Sequence, residues 1–257
     1  MNRTGLAITL AVAVAVGLVF AIRPDFDIGV AGLFFDPVTK RFMLERWILR
    51  LRDGAMYFVT IVALVPVGAA LLKLVFPRLR LLVPGRAVLF LLGSLAIGPG
   101  LLVNVGLKEH WGRSRPIDIP QFDGTEQFVP WWDPRGVCPK NCSFVSGDVS
   151  ASFWLLAPAA VAPPPWRTLA YVGAVAIGTG TGLLRMAMGA HFVTDVVFAG
   201  VITFLTLWLF HGLLYRWPAT RLSDRAVERA IERPGLDLRR LGAWSAALFR
   251  ANSRRND

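Results

Sequence analysis

What most limits how this chain can fold is a series of long, almost uncharged apolar blocks. The first, Gly5 to Ile22, carries no ionisable side chain, and similar blocks follow at 55–76 and 86–107. About 18 apolar residues in a row suffice to cross the hydrocarbon core of a bilayer as a helix. A soluble domain spreads its apolar residues at core spacings instead. The composition agrees, with 54% hydrophobic residues and a mean hydropathy of +0.52.

Six spans are predicted, at roughly 5–22, 55–76, 86–107, 148–163, 167–187 and 191–216. The expected fold is therefore all-α: a polytopic membrane protein with six transmembrane helices in a bundle, plus interfacial helices. Residues 1–217 form the transmembrane domain and 218–257 a basic tail. Pro66 and Pro99 fall inside two spans, where neighbouring helices can satisfy the freed carbonyls. Pro163-Pro164-Pro165 stops the fourth. The first block reads as a retained helix rather than a cleaved signal, because it exceeds a usual signal core and Arg23-Pro24 is a poor cleavage context.

The formal charge of +11 does not point to nucleic acid, since no aromatic-plus-basic recognition module accompanies it. The cations set orientation instead. Lys73, Arg78, Arg80 and Arg86 cluster around the second connection and Arg167 marks the fourth. The tail carries Arg221, Arg225, Arg229, Arg233, Arg239 and Arg240. The positive-inside tendency places these, and both termini, in the cytoplasm of a bacterial inner membrane. Arg46, Arg50 and Arg52 in the first loop run against the rule. They are explained by a surface helix whose Leu44, Trp47, Ile48 and Leu51 share one face. In the tail, Leu238, Leu241, Trp244 and Leu248 suggest another.

With that topology three polar constellations meet on the outer, periplasmic side. Lys108 to Pro116 follows the third span, Ser146-Gly147-Asp148 opens the fourth, and Arg185, His191 and Asp195 join the fifth to the sixth. Ionisable groups at membrane depth are costly and mark function by default. Each group suits phosphate. Lys108, Arg115 and Arg185 bring charge, and the arginine fork matches phosphate oxygens. Ser146-Gly147 sits at a helix N-terminus, where N–H groups and the dipole attract anions. His191 and Asp195 share a helix face, so the carboxylate can fix one ring nitrogen and leave the other nucleophilic.

Lys108, six residues, Arg115-Pro116; then Ser146-Gly147; then Arg185, five residues, His191, three residues, Asp195. This arrangement resembles the tripartite signature of the type 2 phosphatidic acid phosphatase superfamily. The resemblance implies a phosphatase in which His191 attacks phosphorus to give a phosphohistidine and Asp195 orients it. Lys108, Arg115, Ser146, Gly147 and Arg185 would hold the phosphate, with no metal or other cofactor. Leu184 stands where the family usually has Ser. Asp148 stands where it has the histidine that protonates the leaving oxygen, so Asp148 becomes the candidate acid and His110 the substitute. His211 lies deep toward the cytoplasmic side and reads as structural.

The run Cys138 to Asp148 is similar to bacterial members acting on lipid A, which makes lipid A the favoured substrate. The alternatives are undecaprenyl pyrophosphate or phosphatidylglycerol phosphate, transfer of the phosphoryl group to a sugar, or a silent protein that binds phospholipid headgroups. Trp131 and Trp132 suit the headgroup zone. The sequence leaves Cys138 and Cys142 either bridged or free, and the oligomeric state open.

Overall fold

The computed structural model describes residues 1–79 and 83–237. Among these, five helices are long and apolar enough to cross a membrane: α1 (Arg3–Ile22), α3 (Arg46–Val75), α4 (Gly85–His110), α6 (Pro164–Ala187) and α7 (Val193–Arg216). The expected fourth span is a shorter apolar helix, α5 (Gly147–Val161). At 1.5 Å per residue it rises about 22 Å, against a hydrocarbon core of roughly 30 Å. Its length is set at both ends. Ser146 is its N-cap, and the proline run closes it while supplying Pro164 at the first turn of α6, where a missing N–H costs nothing.

Two short elements join α1 to α3. Helix α2 (Asp25–Gly32) turns back under the bundle, and a two-stranded antiparallel ribbon pairs β1 (Phe35–Asp36) with β2 (Arg41–Phe42). Phe35, Phe42 and Phe122 pack with ring centroids 5.1–5.2 Å apart.

The surface helix expected near Leu44–Leu51 is not separate. Residues from Arg46 onward form the first turns of α3, because the stretch before Ala55 contains only Gly54 as a weak breaker. Pro99 lies inside a stretch of α4, Ala96–Leu107, wound with the wider i→i+5 pattern. The Asn104 amide donates to the Pro99 carbonyl (2.7 Å).

Helix α1 turns Ile8, Val14 and Leu18 outward, as a lipid-facing helix does. The inner helices are held by close packing and by hydroxyl pairs. Ser150 meets Thr203 at 2.7 Å, and Ser152 meets Thr181 at 3.0 Å, joining α5 to α7 and α6. The buried Trp154 indole donates to α4 at the Leu91 carbonyl and Ser94 Oγ. The tail begins with helix α8, residues 224–237. It is tied to the bundle through Arg86–Asp224 and Lys73–Glu232. Arg80 and the expected stripe at Leu238, Leu241, Trp244 and Leu248 lie outside the described residues.

Candidate active site

Chain direction alone gathers the site at one end of the bundle. Helices α4 and α6 end there, at Lys108 and Arg185, while α5 and α7 begin there. Between α6 and α7 the chain reverses at Gly189, whose φ of 63° is the left-handed conformation that ends a helix. A Cβ at Gly189 would lie 2.4 Å from the Phe42 ring, so the ribbon closes over this turn. Helix α7 starts at Val193, which leaves His191 in the turn rather than on the helix.

The His191 side chain is buried, and its Nδ1 faces the Ser143 carbonyl at 2.8 Å. That contact requires the proton on Nδ1 and leaves Nε2 with a free lone pair. Asp195 was expected to make the contact itself. Its Oδ2 is 3.9 Å from Nδ1, beyond hydrogen-bond reach. Asp195 instead accepts from Ser143 Oγ (2.5 Å) and the Phe192 amide (2.8 Å). It fixes the residue whose carbonyl fixes the imidazole. The structure inserts Ser143, a residue outside all three motifs, between His191 and Asp195.

Asp195 also belongs to a buried charge network with no counterpart in the sequence reading. Arg113 donates to Asp195 Oδ1 (2.5 Å), to Asp27 Oδ2 (2.8 Å), to Thr194 Oγ1 (2.8 Å) and to the Val129 carbonyl (3.0 Å). Its guanidinium stacks over Phe192, 4.4 Å from the ring centroid. Asp27 on α2 accepts from the Thr194 amide and hydroxyl as well. Arg113 is fully buried. One arginine thus locks α2, the Arg113 loop and the start of α7 together.

The phosphate-binding candidates converge on His191. Burial holds its pKa well below the usual imidazole value, and the positive charges of Arg185, Arg115 and Lys108 push the same way. The Ser143 carbonyl opposes the shift. Arg115 is positioned by the Asn141 carbonyl (2.8 Å), and the Lys108 carbonyl receives the Cys142 amide (2.9 Å). Cys138 and Cys142 are joined in a disulfide, so the loop bearing both anchors is covalently closed. The Ser146 hydroxyl is buried and has no hydrogen-bond partner among the described residues. It lies at the N-terminus of α5, a position suited to an anion. Gly147 is required there, because a Cβ would meet Asn104 Oδ1 at 2.5 Å.

Asp148 points into the same cluster and is shared between two arginines. Arg52 from α3 reaches its Oδ2 at 2.7 Å and 2.9 Å, and Arg185 Nε lies 3.4 Å from the same oxygen. Arg52, assigned from sequence to the lipid surface, is therefore part of the site. His110 is exposed, and its ring turns back onto the Val105 and Gly106 carbonyls. His211 sits at the opposite end of α7. Among the described residues no cluster of three or more His, Cys, Asp or Glu could hold a metal ion.

Residues 87–220 match the family model described as the PAP2 superfamily. The chain belongs to this superfamily. It is 35% identical over 225 residues to "Lipid A 4'-phosphatase" of Francisella tularensis subsp. novicida (strain U112), covering 84% of this chain and 98% of that protein. It is 44% identical over 106 residues to a protein of the same name from Rhizobium leguminosarum, covering 41% of this chain and 46% of the relative. The relative from Rhizobium etli is 44% identical over 105 residues, 41% of each chain. No solved structure matches significantly. The chain is a phosphatase of the membrane-embedded type, as its apolar helices and its superfamily imply.

Proposed function

We propose that the protein removes a phosphate monoester from a lipid at the outer face of the bacterial inner membrane, with lipid A as substrate. The observation that carries this reading is the His191 environment. A neutral imidazole, fixed by Ser143, lies within the field of three cations, and the buried Ser146 hydroxyl at the start of α5 has no hydrogen-bond partner among the described residues. Such a pocket attracts a phosphate and offers it a nucleophile. The lipid A phosphatases among its relatives support the substrate, and the open end of the bundle suits a headgroup that stays in the interface.

In the first step the Nε2 lone pair attacks phosphorus, the P–O ester bond breaks, and the sugar oxygen leaves and takes a proton from solvent water. Water then attacks the phosphohistidine, the P–N bond breaks, and the imidazole is restored with release of inorganic phosphate. Lys108, Arg115 and Arg185 hold the equatorial oxygens through both steps. Ser146 and the first N–H groups of α5 add donors. Asp195 acts through Ser143, keeping the proton on Nδ1. Asp148 aligns Arg52 and Arg185 rather than serving as the acid, since both guanidinium groups face its Oδ2.

The test uses purified protein in detergent with lipid A, undecaprenyl pyrophosphate and phosphatidylglycerol phosphate, measuring released phosphate. Release from lipid A alone, lost in His191→Ala, supports the assignment. Binding of these lipids without release identifies a silent headgroup receptor. Orientation is read from single cysteines at Thr125 and Ser253 in intact spheroplasts. An impermeant thiol reagent should label the first and not the second.

A further inference from the structure

A cavity of about 1300 Å³ lies away from the candidate active site. It lies between α1, α6 and α7 and is walled by Ile8, Val12, Val175, Val201 and Phe204. This volume exceeds the roughly 300–1,000 Å³ of ordinary small-ligand pockets. None of the motif residues lines it. Its polar end holds Arg86, Arg167, His211, Tyr215 and Asp224. His211 lies twenty residues along α7 from His191, about 30 Å at the helical rise, so this end belongs to the opposite membrane face.

Charge at that end does not balance within the described residues. Arg86 is matched by Asp224 at 2.9 Å and lies over the Tyr215 ring. Arg167 is exposed, donates only to the Ala162 carbonyl, and has no carboxylate partner among the described residues. His211 Nδ1 is buried with no hydrogen-bond partner among the described residues, a costly state for a polar atom. The arrangement is a long apolar slot ending in an uncompensated cation and an unsatisfied ring nitrogen.

We propose that this cavity binds an anionic phospholipid, its acyl chains lying along α1 and α7 and its phosphodiester meeting the exposed Arg167. Charge complementarity selects this occupant. The chain's own segment beyond 237 carries several arginines and no matching excess of acids, so it would add like charge to Arg167. A zwitterionic lipid would fill the slot but leave the cation unmatched. The site is independent of the phosphatase centre and of which lipid that centre hydrolyses.

The test incubates the full chain in neutral detergent with phosphatidylglycerol or phosphatidylcholine, separates it by size exclusion, and quantifies retained lipid by mass spectrometry. Wild type and His191→Ala should both retain phosphatidylglycerol with a roughly tenfold preference, the scale of one charge-assisted hydrogen bond. Arg167→Gln should lose that preference while still binding lipid. Thr9→Trp, which fills the slot at a lining position, should lower retention of both lipids. Inorganic phosphate should not compete. Equal retention of the two lipids by wild type, an unchanged preference in Arg167→Gln, or loss in His191→Ala would each overturn the proposal. Because Arg167 is exposed, its variant folds on the same terms as wild type, and a thermal melt verifies this.

Discussion

Replacing Asp148 by Asn keeps the shape of the side chain and removes the charge that two arginines share. The Arg52 pair is partly exposed, at 32% and 21% of the two side chains, and the Arg185 contact is longer, 3.4 Å with Arg185 at 12%. Hydrogen bonds to charged groups contribute about 1.5–3 kcal/mol when buried, and solvent screening reduces that to about 1–2 kcal/mol here. If Asp148 only aligns the arginines, the whole loss falls on phosphate binding and on the shared transition state. At 1.36 kcal/mol per tenfold this is a fall of about 5–30-fold in kcat/KM. The fall must be the same for lipid A, whose sugar oxygen leaves poorly, and for p-nitrophenyl phosphate, whose phenolate leaves unaided. Arg52→Gln should reproduce the Arg52 share of this loss without adding to it in the double variant, because the contact it breaks is one that Asp148→Asn has already broken. The assay is phosphate release from both substrates with each single and double variant. A loss about a hundredfold greater for lipid A than for p-nitrophenyl phosphate would refute the alignment argument and make Asp148 the proton donor.

His191→Ala should abolish turnover, and a phosphoenzyme labelled from radioactive substrate should be stable to alkali, labile to acid and absent from the variant. Because the His191 pKa lies well below the usual 6.5, the imidazole stays neutral as pH falls through 6, and the acidic limb of kcat/KM should lie below the position of a free histidine. The same depression means the unfolded chain binds a proton that the native one refuses, so thermal stability should decline as pH drops below about 6.5. Asp27→Ala should cost about 3–5 kcal/mol, since it strands part of a buried guanidinium, and a melt in detergent measures this. EDTA should leave the rate unchanged, while vanadate, a mimic of the pentacoordinate phosphorus, should inhibit.

Much of the site was legible in the sequence because it was written as short-range spacing. Lys108 to Arg115, Ser146-Gly147 and Arg185 to Asp195 each lie near a helix end, and alternating helices bring those ends together. The partners that hold the chemistry in place were not legible, for a physical reason. Asp27, Ser143 and Arg52 are isolated polar residues whose meaning depends on contacts 52 to 167 residues away along the chain. Asp27 carries no motif, and Arg52 reads as a charge on a surface helix. Helix α5, expected at 148–163, runs Gly147–Val161, ending two residues before the proline run that the sequence marked as its stop. The disulfide was left open because two cysteines four apart bridge only when the intervening turn allows it.

The Arg113 network has a consequence for how the protein is made. Its members enter the membrane in the order Asp27, Arg113, Thr194 and Asp195, separated by most of the chain. Until α7 emerges from the ribosome, the guanidinium has one of its two carboxylates and none of its hydroxyl partner. Synthesis therefore passes through an interval in which a charge destined for burial lacks part of its pairing, and folding of α7 onto the bundle ends it. A chain truncated before Thr194 would leave that charge exposed to surveillance by membrane proteases. The support around His191 is thus completed only when α7 is in place.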